Sequence, residues 1–115
     1  MATSYDVSFA DEKLDLDHFA NELKRFPGWK GYIVAYAGQY ARPNEAEQRL
    51  RRAKNYVVRT KRVNSRRVIT IDGGYRDRSL LELFIIPPHD PKPVPLPTVD
   101  PRDVHLQISR PKNRS

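Results

Sequence analysis

The chain has no cysteine, which removes thiol catalysis, disulfides and cysteine-ligated zinc in one step. That absence leaves the compartment open. No run approaches the ~20 apolar residues that a membrane span needs. The opening stretch, MATSYDVSFADEK, shows no basic region followed by an apolar one, so no export signal is expected in this chain; a mature exported protein would look the same. Histidine is scarce too. His18, His89 and His105 share no i,i+4 spacing, and no Ser/His/Asp order or paired carboxylates mark a pocket, so neither a metal site nor an enzyme is expected. No cofactor is expected either. Glycines number five against ten prolines, and most of the prolines follow Ile86.

What is present is charge, unevenly spread. The net charge is +7 over 115 residues. Residues 42–67 hold ten Lys/Arg and two Glu, a local excess of eight positive charges, whereas residues 1–41 are net negative by two. Such a surface favours polyanions or carboxylate-bearing ligands. Its plainer role is solubility, with Glu45–Arg49 and Glu47–Arg51 placed as i,i+4 pairs that each add ~0.3–0.5 kcal/mol to a helix.

That basic stretch is also the most regular one. Ala46, Leu50, Ala53 and Val57 recur at helical spacing and predict an amphipathic helix over 44–60, with Arg51, Arg52, Arg59 and Arg62 on its outer side. Asn44 and Glu47 suit a capping box. Upstream, Tyr5, Val7 and Phe9 alternate with polar residues as a half-buried strand does. Leu16, Phe19, Ala20, Leu23 and Phe26 draw a second helical stripe, with Asp15 as its N-cap and Pro27-Gly28 as its stop. His18 on that helix reads as a surface residue. GYIVAY at 31–36 reads as a central strand, with Trp29 over the edge of the core. VITI at 68–71 is a strand that runs into Asp72-Gly73-Gly74, a turn or bulge. LLELFII at 80–86 is a further strand, expected to pair antiparallel with VITI. Beyond Pro87 the prolines favour extended structure, with an alternating segment at 104–108 that suits an edge strand. The order predicts an α+β two-layer sandwich, two helices on one face of a mixed sheet, over 1–87, with a proline-rich basic tail over 88–115.

This order resembles the OmpA C-terminal-like domain family over about residues 5–87. The likeness rests on GYIVAYAG ahead of the second helix and on Arg52-Ala53 with Tyr56-Val57-Val58 near that helix's end. It rests also on the run Val63-Asn64-Ser65-Arg66-Arg67-Val68-Ile69-Thr70-Ile71-Asp72-Gly73-Gly74-Tyr75. The resemblance implies a non-enzymatic domain that binds peptidoglycan in the cell envelope or periplasm of an exported protein. In that family an aspartate after the second strand meets the ammonium of the stem-peptide diamino acid, and an arginine on the second helix meets its carboxylate. Arg52 stands at the arginine position. The aspartate position falls on Ala37-Gly38, and the family's asparagine on Glu45 or a neighbour. A desolvated, unpaired ammonium is costly, so the resemblance implies a kept fold with an altered pocket around Gly38, Gln39, Tyr40 and Arg52.

The alternative is a polyanion or nucleic-acid binder using Arg51, Arg52, Arg59, Lys61, Arg62, Arg66 and Arg67. Only Tyr40 and Tyr75 lie near enough in sequence to stack on bases. The tail either links to something else or docks on a sheet edge, and docking across chains would make a homodimer.

Overall fold

The fold was analysed in a computed structural model that describes residues 2–5 and 9–105, with side chains from Glu12 to His105. The chain runs β1 (Ala2–Tyr5), α1 (Phe9–Arg25), β2 (Lys30–Gly38), α2 (Glu45–Asn55), β3 (Val68–Arg76) and β4 (Leu80–Ile86). It is an α+β fold with two helices packed on a mixed sheet, as the residue patterns predict.

The sheet order is β1-β4-β2-β3. β2 pairs in parallel with β3 and antiparallel with β4, and β1 pairs antiparallel with β4. The expected pairing of VITI with LLELFII is therefore corrected: β2 lies between them. Two strands flanking a third are ~10 Å apart, and residues 77–79 are enough to cross that gap. The crossing passes over the end of β2. A Cβ on Gly38 would sit 3.0 Å from the Ser79 nitrogen and 3.4 Å from the Arg78 backbone, so the connection lies directly on this glycine.

Three further boundaries differ from expectation. β1 ends at Tyr5 and α1 already begins at Phe9, so Asp15 is inside the helix and caps nothing; Val7 falls outside the described residues. Asn44 takes a left-handed conformation (φ 59°) with no side-chain cap on α2. The Glu45 carboxylate instead accepts the Arg42 N–H at 3.2 Å. The predicted 44–60 helix is present, but its last turn is a π-turn, Tyr56–Thr60. It closes with Arg62 left-handed (φ 60°) and the Val63 N–H donating to the Val57 carbonyl at 3.2 Å, which satisfies a terminal carbonyl.

The core lies between helices and sheet. Leu16, Phe19, Ala20 and Leu23 of α1 and Ala46, Leu50, Ala53 and Val57 meet Ile33, Ala35 and Ala37 of β2 and Leu81, Leu83 and Ile85 of β4. Trp29 packs at the rim of this core and stacks on Phe26 with ring centroids 4.7 Å apart. In β3 the paired glycines form a bulge: the register slips between Ala35 and Tyr36, and Gly74 adopts φ 96°.

Strand alternation sends Tyr32, Val34 and Tyr36 to the face away from the helices. They are nonetheless buried, Tyr36 at 1% exposure. The proline-rich tail is part of the reason. Its Leu96 N–H donates to the Tyr36 hydroxyl at 2.9 Å, and its Leu96 carbonyl accepts from Arg76 Nε at 3.0 Å. Thr98 and Val99 donate to the Tyr75 carbonyl at 2.9 and 3.1 Å. A strap thus docks on the second face at Tyr36 and Arg76 and runs along Gly74 and Tyr75 of β3. Of the predicted strand at 104–108, residues 106–108 lie outside the described residues.

Candidate functional site

β2 delivers the loop that was expected to bind a ligand. Beyond Gly38, the Gln39 carbonyl accepts the His105 N–H at 2.7 Å, and the Tyr40 ring stacks on His105 with centroids 5.2 Å apart. The loop is met by the chain's own tail. Arg52 is exposed on α2 and acts on Glu12 of α1, helping to hold its charge. The four residues do not share a described cleft.

A different cleft opens between the end of β2, the bulge of β3 and the start of α2. Ala37, Arg42, Asn44, Glu45, Ala46, Glu47, Asp72, Gly74 and Tyr75 line it, and it measures about 100 Å³. Its walls carry one guanidinium and three carboxylates, so it can meet charges of both signs. Among the described residues no group of His, Asp and Glu is placed to hold a metal ion.

The cationic surface is smaller than the residue count suggests. Arg51, Arg52, Arg59, Arg62 and Arg66 are exposed, and Arg51 reaches Glu47 at 3.6 Å. Lys61 is drawn to Asp17 at 3.5 Å. The Asp17 carboxyl also accepts the Tyr56 hydroxyl at 2.6 Å. That bond first, then Lys61, holds Asp17 below its ordinary range, and the same bond pushes Tyr56 up.

Arg67 belongs to the scaffold and not to the surface. Its guanidinium donates to the carbonyls of Leu23 at 2.6 Å, Phe26 at 2.9 Å and Trp29 at 3.0 Å. It therefore caps the C-terminal end of α1, where carbonyls otherwise lack partners.

Arg49 is likewise internal. Expected to pair with Glu45, it instead forms a buried ion pair with Glu12 of α1. Glu12 is 0% exposed, and its second carboxylate oxygen has no hydrogen-bond partner. Burial pushes the Glu12 carboxyl up, against the pull of Arg49. A signal for this pair was present in the sequence. Arg49 follows Ala46 by three and precedes Ala53 by four, and Glu12 precedes Leu16 by four; each charge sits on its helix's apolar stripe. Comparison with known proteins finds no matching family model, no matching curated protein and no matching solved structure.

Proposed function

We propose that this chain is a non-enzymatic binding or assembly module of the bacterial cell envelope, of the OmpA C-terminal-like kind, acting outside the cytoplasm. In this reading its peptidoglycan stem-peptide site has been altered. The observation that supports it best is the path of the chain: strand, helix, strand, helix and two strands, with the end of β2 opening beside the start of α2. The arginine expected for the stem-peptide carboxylate, Arg52, is exposed on α2 and acts electrostatically on Glu12 of α1. The loop expected to carry an aspartate has Ala37-Gly38 instead. The cleft offers Arg42 against Glu45, Glu47 and Asp72. A zwitterionic group such as the free end of a diamino acid would find both counter-charges there, and neither would be left desolvated and unpaired.

Co-sedimentation with purified sacculi at about 0.15 M salt tests the reading. Retention that Arg42→Ala abolishes supports a ligand in the cleft. No retention removes cell-wall binding and leaves assembly alone.

A second reading rests on Arg59, Arg62 and Arg66, which are exposed and have no side-chain ion pair among the described residues. They suit a polyanion. Its affinity should fall with salt at a log–log slope of about −0.7 to −0.9 per phosphate contacted, and a flat response removes it.

A further inference from the structure

We infer that the sheet face opposite the helices is a binding site for an extended, proline-rich peptide. Residues 94–101 occupy it in cis, and such a segment of a second polypeptide can exchange with them. This site is separate from any cell-wall ligand.

The contacts say what is recognised. Leu96 is held by its backbone at both ends, N–H to the Tyr36 hydroxyl and carbonyl to Arg76. Thr98 and Val99 are held through their N–H groups on the Tyr75 carbonyl, with Val99 bridging antiparallel to Tyr75. Pro97 lies over Gly74, where a Cβ would stand 3.1 Å from it. The side chains of Val94 and Leu96 point to solvent, 78% and 67% exposed. The receptor therefore reads an extended backbone followed by proline and not the apolar side chains. That is how extended and polyproline segments are bound elsewhere in proteins, with main-chain bonds supplying affinity.

The receptor is assembled from the sheet itself. The Arg76 guanidinium lies 3.9 Å from the Tyr36 ring centroid and 3.8 Å from Glu82, and the Tyr36 hydroxyl donates to Glu82 at 3.4 Å. The ring also rests on Gly73, where any Cβ would collide with it. None of these supports comes from the strap. The occupant in turn is pre-ordered: five of the eleven residues 91–101 are prolines, so little backbone entropy is lost on docking.

Residues 87–95 join the end of β4 to Leu96. A tether that short gives the strap an effective concentration in the millimolar range. A peptide in trans must outcompete that, so the site opens when the strap is weakened.

The test uses the full chain and a fluorescein-labelled peptide of residues 91–101, PKPVPLPTVDP, followed by anisotropy. Leu96→Pro/Val99→Pro removes two N–H groups donated by the strap and leaves Tyr36, Tyr75 and Arg76 untouched. This variant should bind the peptide at least about tenfold more tightly than the unaltered chain, and adding Tyr36→Phe or Arg76→Ala should reverse the gain. If the unaltered chain dimerises at high concentration and free peptide dissolves the dimer, the occupant is a second copy's strap and the site stands. Should the double variant fail to fold by circular dichroism, Leu96→Pro alone takes its place. Two results overturn the assignment: no saturable binding up to about 1 mM peptide by the folded, strap-weakened chain, or equal binding of a proline-free peptide.

Discussion

Arg66 and Arg67 are neighbours of one chemical type, and replacing each with alanine should give opposite results. Arg67 donates three charge-assisted hydrogen bonds to carbonyls at the end of α1. A hydrogen bond to a charged group contributes about 1.5–3 kcal/mol. One guanidinium serves all three, and water can reach part of this end once it is gone, so the sum is discounted to about 2–4 kcal/mol for Arg67→Ala. Against a typical domain stability of about 5–15 kcal/mol that is a large fraction. At about 4–8 °C per kcal/mol for a domain of this size, Tm should fall by roughly 8–32 °C. Arg67→Lys keeps the charge and loses the fork, so it should recover only part of the loss. Arg66 is exposed, and Arg66→Ala should stay within about 0.5 kcal/mol of the parent. Urea unfolding followed by Trp29 fluorescence reads both, because Trp29 is the sole tryptophan and its carbonyl is one of those capped. The Arg67 effect should survive 1 M salt, where exposed charges are screened within about 3 Å. Equal stability of the two alanine variants would refute the capping argument.

Three further outcomes are expected. Arg49→Met should cost about 3–5 kcal/mol by leaving Glu12 buried and uncompensated, and Glu12→Leu/Arg49→Met should regain most of it, which a double-mutant cycle in urea measures. The two carboxylates near α1 should show opposite pH signatures. Glu12 is raised above its ordinary 4.5, so its contribution is full below that value and lost as pH climbs through the folded pKa; the stability of the parent relative to Glu12→Gln should fall over that rise. Asp17 is lowered below its ordinary 3.8, so its contribution is present above that value and lost as pH drops through the folded pKa; Tyr56→Phe should shrink this acid-side loss in urea titrations. Gly73→Ala forces the Tyr36 ring to move and should cost about 1–3 kcal/mol, with faster hydrogen exchange at the Leu96 amide as the strap loosens.

The elements that could be read from the sequence are those whose side chains repeat. Ala46, Leu50, Ala53 and Val57 are all buried, because a helix against a core has no other way to place an apolar stripe. Gly73-Gly74 read as a turn or bulge because two adjacent glycines in a β-branched run have few other uses, and the register slip makes it a bulge. The pairing of β3 differs from expectation because two apolar strands joined by a short glycine-bearing connection suggest a hairpin, and the crossing depends on Gly38 accepting backbone against it. Arg66 and Arg67 could not be told apart: the short 3₁₀ turn Ser65–Arg67 decides which side chain turns inward, and no periodicity spans three residues. The candidate site suffered in the same way. Gly38 stood out as a ligand-loop glycine, and its neighbours in space are Arg78 and Ser79.

The tail carries the deeper lesson about burial. A sheet with helices on one face only would expose Tyr32, Val34 and Tyr36 on the other, and alternating strands normally place polar residues there. β2 instead reads as a continuous apolar run, buried from Gly31 to Gly38, the pattern of a strand covered on both sides. Two helices account for one side. The second cover had to come from elsewhere in the chain, and the stretch after β4 had too many prolines to supply a third helix. Around Tyr36 an extended strap supplies it, docking by a few backbone bonds and by a proline ring without regular structure of its own. An apolar strand that is buried on both faces, followed by a proline-rich segment, is therefore a signal that the segment belongs to the fold. It also separates cover from core: helix packing closes one face with apolar side chains, whereas the strap is held on the other by a few backbone hydrogen bonds.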